Sequence, residues 1–159
     1  MSCIKLYKYY FGNNKDYDKE IFDSFKVRFN NAPFPWFSDK IEIITLVHVI
    51  NNKYTILACC QLGQSNIGDK HTIWNLFKTL KAENTKHICT AFLKKLFQYY
   101  NSNYELGEQM LNLYVIPEIS PAAYKSYLSN GFEIIKEKNF IVNKNDNDYL
   151  AVFMKKNKI

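Results

Sequence analysis

Serine and proline at positions 120 and 121, followed by asparagine and glycine at 130 and 131, confine one element of this 159-residue chain more tightly than any other feature in it. Proline at the first helical position gives up an N–H that has no partner there anyway, and a serine before it can accept from the orphan donors of the first turn. Glycine readily takes the left-handed conformation in which helices commonly end. The spacing predicts a helix that starts at Ser120-Pro121, carries Tyr124, Tyr127 and Leu128, and closes at Asn130-Gly131. Before it, Met110 to Ile116 alternates as a strand and Pro117 stops it. After it, Phe132 to Val142 and Tyr149 to Met154 read as two strands around the polar turn Asn143 to Asp148.

Upstream, Ile4 to Phe11 alternates as a strand and Gly12-Asn13-Asn14 ends it. Ile21, Phe22, Phe25 and Phe29 then recur at helical spacing behind Asp16, an acceptor suited to the first turn, which predicts a helix to about Asn30. The prolines of Ala32-Pro33-Phe34-Pro35-Trp36-Phe37 stop it, leaving a loop or a short helix with large aromatics. Ile41 to Val49 and Tyr54 to Leu62 form a predicted hairpin over Asn51-Asn52-Lys53. Gly63 to Asp69 has the composition of a turn, and Thr72 to Leu80 that of a further strand. Ile88, Phe92, Leu96 and Tyr100 mark one stripe of a helix, with Leu93 and Phe97 beside it, ending near Asn101-Ser102-Asn103. Strands of mixed direction with one βαβ crossover imply a single α+β domain over residues 1–159, its sheet covered by helices on both faces. No internal repeat and no linker divides it.

Hydrophobic residues make up 47% and charged residues 23%, which supplies a core and gives no compositional case for disorder. No run approaches the ~18 apolar residues of a membrane span. Cys3, Cys59, Cys60 and Cys89 form no CxxC pair and no zinc spacing, so they read as reduced thiols of a cytoplasmic protein, with Cys59 and Cys60 on opposite faces of one strand. The formal charge is +6, yet of 21 Lys+Arg residues only Arg28 is an arginine. Lysine lacks the planar fork that reads guanine edges, so sequence-specific DNA recognition is disfavoured, and non-specific RNA or DNA binding is the weaker alternative because no lysine-aromatic cluster stands out. The excess charge is left to an anionic cofactor, an acidic partner or solubility.

From Leu111 through Phe132 the chain resembles the C-terminal half of the GCN5-related N-acetyltransferases, the GNAT superfamily. There a strand leads into a helix with an Asn-x-x-Ala-x-x-x-Tyr pattern and then Gly-Phe. Here Ser120, Ala123, Tyr127, Gly131 and Phe132 hold those positions, Ser120 replacing the asparagine. The element order extends the likeness over nearly the whole chain. The resemblance implies a GNAT-like α+β fold, a mixed, mostly antiparallel central sheet flanked by helices. It also implies an acyl-CoA-dependent N-acyltransferase, an N-acetyltransferase in which a primary amine attacks the acetyl-CoA thioester directly. The alternative it leaves is a GNAT-fold protein without catalysis, serving as a binding or structural module.

In the family a Gln/Arg-x-x-Gly-x-Gly/Ala segment at the start of the central helix holds the cofactor pyrophosphate on backbone N–H groups. The resemblance places it at Asn84-Thr85-Lys86-His87-Ile88-Cys89, continuing to Thr90, with His87 at the first glycine and Cys89 at the Gly/Ala position. The His87 ring either obstructs the phosphates, or needs a backbone shape that histidine disfavours, or points outward and leaves the amides available. The resemblance further implies a strand amide near Thr79 or Leu80 on the thioester carbonyl and Tyr127 as proton donor to the thiolate. As one of twelve tyrosines, Tyr127 also suits a purely packing role. Ile73 to Thr79 contains no carboxylate, so Glu42 leads the candidates for general base, ahead of Glu83, His48 and His71. Phe34, Trp36 and Phe37 are candidates to line an acceptor site or to anchor their loop.

Overall fold

The computed structural model describes residues 2–29, 42–63, 71–103 and 110–157. Among them the chain is mixed α+β, with eight strands and three α-helices: β1 (Ser2–Tyr10), α1 (Lys15–Arg28), β2 (Glu42–Ile50), β3 (Lys53–Gly63), β4 (Thr72–Lys78), α2 (Ile88–Asn103), β5 (Met110–Val115), α3 (Pro121–Ser129), β6 (Glu133–Ile134), β7 (Phe140–Lys144) and β8 (Asn147–Asn157). The β1–β2, β2–β3, β5–β8, β6–β8 and β7–β8 pairs are antiparallel, and β4 pairs with β5 in parallel at Thr72 and Asn112. The chain forms two compact units, Met1–Leu62 with Trp74–Lys95, and Gly63–Ile73 with Leu96–Ile159. The divisions between them fall inside β3, β4 and α2. The aromatic segment 32–37 and the turn residues 64–69 lie outside the described residues.

In the first unit β1, β2, β3 and β4 are neighbours in that order. Asn51 and Asn52 both take positive φ, 48° and 64°, so a two-residue turn of the kind that suits the strand twist joins β2 to β3 and sets Ile50 opposite Lys53. Helix α1 is capped two residues earlier than the sequence predicts. Asn14, not Asp16, caps it, its side chain accepting from the N–H groups of Asp16 and Tyr17. Asp18 accepts from the Gly12 N–H and from the buried Tyr9 hydroxyl, tying the turn to β1. Ile21 and Phe25 of α1 pack with Tyr9, Ile43, Cys59 and Phe77 into one apolar core. Adjacent Cys59 and Cys60 are both fully buried, as expected of a strand covered on both faces.

In the second unit β5 pairs with β8, and β8 also carries β6 and β7. Helix α3 starts at Pro121 as predicted, but Ser120 makes no side-chain cap bond; its φ of −128° and ψ of 62° lie off the usual cap geometry. Gly131, with φ 89°, closes the helix in the left-handed region. The strand predicted over Phe132 to Val142 is broken, with a 3-10 turn at Lys136–Lys138 between β6 and β7. There the Asn139 side chain, in place of a ladder carbonyl, accepts the Phe153 N–H at 2.9 Å. The turn predicted over Asn143 to Asp148 contracts to Asn145-Asp146, both at positive φ, so β7 and β8 run longer than the polar residues imply.

Burial pushes the Cys59 and Cys60 thiols up, with Cys60 adding to the shift at Cys59 and Cys89 to that at Cys60. Burial and then the Asp18 hydrogen bond do the same to the Tyr9 phenol. Each group keeps its proton to higher pH in the folded protein than in the unfolded chain. Their contribution to stability is therefore complete below the ordinary values, 9.0 for the thiols and 10.0 for the phenol, and is lost as pH rises beyond them. The urea midpoint is expected to hold between pH 7 and about 8.5 and to fall steadily above about pH 9. Cys60→Ala is expected to flatten the first part of that fall; an unchanged slope excludes Cys60 as its source.

Candidate functional site

The segment that links β4 to α2 is built on short-range geometry. After Lys78 and Thr79 comes a 3-10 turn at Leu80–Ala82, then Glu83 to His87, and α2 begins at Ile88. Asn84 to His87 are exposed, Ile88 is buried, and Cys89 and Thr90 are half-buried. The Ala91 N–H donates to the His87 carbonyl at 3.0 Å, the first helical bond. Among the described residues, the N–H groups of Lys86, His87 and Ile88 have no hydrogen-bond partner. The first turn of α2 holds no acidic residue. Lys86 adds a positive charge beside donors that already carry the positive end of a 16-residue helix dipole.

His87 answers the question its position raised. Its φ is 63°, so the backbone takes the left-handed form natural to glycine, and the imidazole is exposed. Histidine is among the residues that visit this region, at a cost of about 1 kcal/mol.

The two strand amides expected to polarise a thioester carbonyl are both engaged. The Thr79 N–H donates to the Leu57 carbonyl at 2.9 Å, and the Leu80 N–H donates to the Ser24 hydroxyl at 2.9 Å. The Thr79 hydroxyl is buried and donates to the Ile56 carbonyl at 2.6 Å. These residues anchor the segment to β3 and α1.

The acid–base candidates lie on different elements of the two units. Glu42, at the start of β2, is exposed, 3.9 Å from the Lys8 ammonium, and accepts from the Tyr10 hydroxyl at 3.1 Å. Glu83 lies 3.8 Å from the Arg28 guanidinium. His48 is half-buried on β2. In the second unit His71 is buried beside Tyr100, with 3.2 Å between its Nδ1 and the tyrosine hydroxyl. Also in that unit, Tyr127 is buried on α3 with its ring edge-on to Phe132 at 5.8 Å, and Ser120 is half-buried. Phe34, Trp36 and Phe37 fall outside the described residues. No group of three or more metal-ligating side chains occurs among the described residues. No helix among them is long and apolar enough to cross a membrane.

The sequence reading missed Glu20, Ser24, Arg28 and Lys78, whose polar atoms engage the β4–α2 segment. One signal was available: Glu20, Ser24 and Arg28 stand at i, i+4 and i+8 on a single helix.

No family model matches the chain, and no curated protein matches it in sequence. Solved structures do match. An N-acetyltransferase from Staphylococcus aureus Mu50 aligns over 96% of this chain and 97% of its own, with a TM-score of 0.56 and 17% identity. The ribosomal-protein-S18-alanine N-acetyltransferase from Escherichia coli aligns over 98% and 93%, with 0.57 and 16%. NAA60 from Arabidopsis thaliana, solved with a bisubstrate analogue, aligns over 95% and 97%, with 0.56 and 11%. At such identities the likeness is one of fold, and the fold of this chain is that of the GNAT superfamily.

Proposed function

We propose that the protein is an acyl-CoA-dependent N-acyltransferase that moves an acetyl group from acetyl-CoA to a primary amine. The observation that carries this reading is the start of α2, where unpartnered amides, an adjacent lysine and a left-handed residue 87 meet with no acidic side chain in the helix's first turn. A pyrophosphate suits those donors, since backbone N–H groups at a helix end bind anions without deprotonating. His87 is exposed, which is consistent with a ring turned away from the amides, and Asn84, Thr85, Cys89 and Thr90 complete the segment.

In the reaction the amine nitrogen attacks the thioester carbon, a C–N bond forms and the C–S bond breaks. The thiolate takes a proton, and the amine loses one. By resemblance Tyr127 supplies the first proton, and Glu42 takes the second directly or through water. Holding donor and acceptor in line supplies much of the remaining rate. The acceptor is described only by its amine.

Calorimetric titration with acetyl-CoA, with CoA as comparison and at two ionic strengths, tests the reading. Saturable binding at one site, weaker at high salt, is expected. No binding at millimolar ligand would overturn it and favour a GNAT-fold module without catalysis.

A further inference from the structure

Glu20, Ser24 and Arg28 lie on one stripe of α1 and contact the end of β4 and the chain after it in reverse order. The Arg28 Nε donates to the Lys78 carbonyl at 2.9 Å and an Nη to the Thr79 carbonyl at 3.4 Å. The buried Ser24 hydroxyl accepts the Leu80 N–H at 2.9 Å, and the Glu20 carboxylate accepts the Lys81 N–H at 3.2 Å. Four successive residues are thus held through their backbones by one helix face. A second tier continues toward α2. The Lys78 ammonium donates to the Glu83 carbonyl at 2.8 Å and to the Thr85 carbonyl at 3.4 Å, while the Glu83 carboxylate pairs with Arg28 at 3.8 Å.

Carbonyls drawn onto Arg28 and Lys78 are carbonyls kept away from an anion at Lys86 to Ile88. A peptide whose carbonyl is gripped has its N–H direction fixed by planarity as well. We infer that Arg28, the only arginine of the chain, is a positioning residue: it clamps the segment whose amides receive the donor pyrophosphate. This rests on the acetyl-CoA reading above. A lysine cannot replace it fully, because two carbonyls and one carboxylate around one head group need the guanidinium fork. Binding energy at this segment depends on how many amides are already in place before the ligand arrives.

The test is Arg28→Lys, which keeps the charge, with Ser24→Ala as a milder break in the same ladder. For Arg28→Lys the acetyl-CoA dissociation constant is expected to rise about tenfold, and KM with it, with kcat within about twofold. Affinity for pantetheine, which lacks the pyrophosphate, is expected to stay unchanged. Equal weakening toward both ligands, or none toward either, would overturn the inference. Amide exchange of the unliganded proteins separates it from the functional reading. Exchange over residues 80–90 is expected to quicken several-fold in both variants while α1 and β3 stay protected. If the wild type binds no acetyl-CoA, the functional reading fails and this exchange result alone decides for or against the clamp.

Discussion

Replacing Tyr127 with phenylalanine is expected to lower kcat by about 100-fold and to leave the acetyl-CoA dissociation constant within about twofold. The substitution removes a hydroxyl and nothing else. The ring packs edge-on against Phe132, with 5.8 Å between centroids, and a phenylalanine ring repeats that contact. A thiolate that must depart without a proton donor raises the barrier of the step in which the C–S bond breaks, and an effect confined to that step appears in kcat. Steady-state kinetics at saturating acetyl-CoA, with thiol release followed directly, measure it. Full activity in the variant would assign Tyr127 to packing alone. Restored rates with an acyl donor of lower leaving-group pKa would tie the loss to proton donation.

Phe92→Ala is expected to destabilise the protein by about 3–5 kcal/mol, near the upper end of what one truncated side chain costs. Phe92 is fully buried in α2, as are Leu93, Leu96 and Tyr100. Removing the ring leaves a cavity that a helix flanked by close-packed neighbours cannot collapse into. Domains of this size are stable by about 5–15 kcal/mol, so the change takes up much of the margin. The urea midpoint in circular dichroism measures it. A shift equivalent to under about 1 kcal/mol would mean that the helix packs less closely than its burial indicates. Phe92→Leu, closer in volume, is expected to recover most of the loss.

Local signals located the elements well because they act within a few residues. The stripe Ile88, Phe92, Leu96 and Tyr100 became the buried face of α2, and the Ser120-Pro121 to Asn130-Gly131 bracket became α3. Paired asparagines before Lys53 became the β2–β3 turn. Misreadings occurred where a distant residue supplied the hydrogen bond. Phe132 to Val142 has the residues of one long strand, but Asn139 takes the Phe153 N–H and the strand divides. Asp16 looks like a cap, but it is the Asn14 side chain that accepts from the Asp16 and Tyr17 N–H groups, with the preceding turn tied to β1 through Asp18 and Tyr9.

The candidate site divides along the same line. The segment proposed to hold the pyrophosphate, Asn84 to Thr90, was placed by the resemblance, counting back from the helical period of α2. His87 could not be read further, because whether its backbone turns left-handed depends on how the chain enters α2. A strand amide near Thr79 or Leu80 was expected to face the thioester carbonyl, and only the folded chain shows both N–H groups given to Leu57 and Ser24. The sequence by itself determined the order of strands and helices, the buried stripe of α2 and the limits of α3, because propensity, periodicity and capping are properties of neighbours. Tertiary structure alone decided which amides remain open, because each backbone group is satisfied by whatever the fold brings to it. Arg28 closes on Lys78 at the end of β4 from the last turn of α1, a pairing that no local spacing encodes.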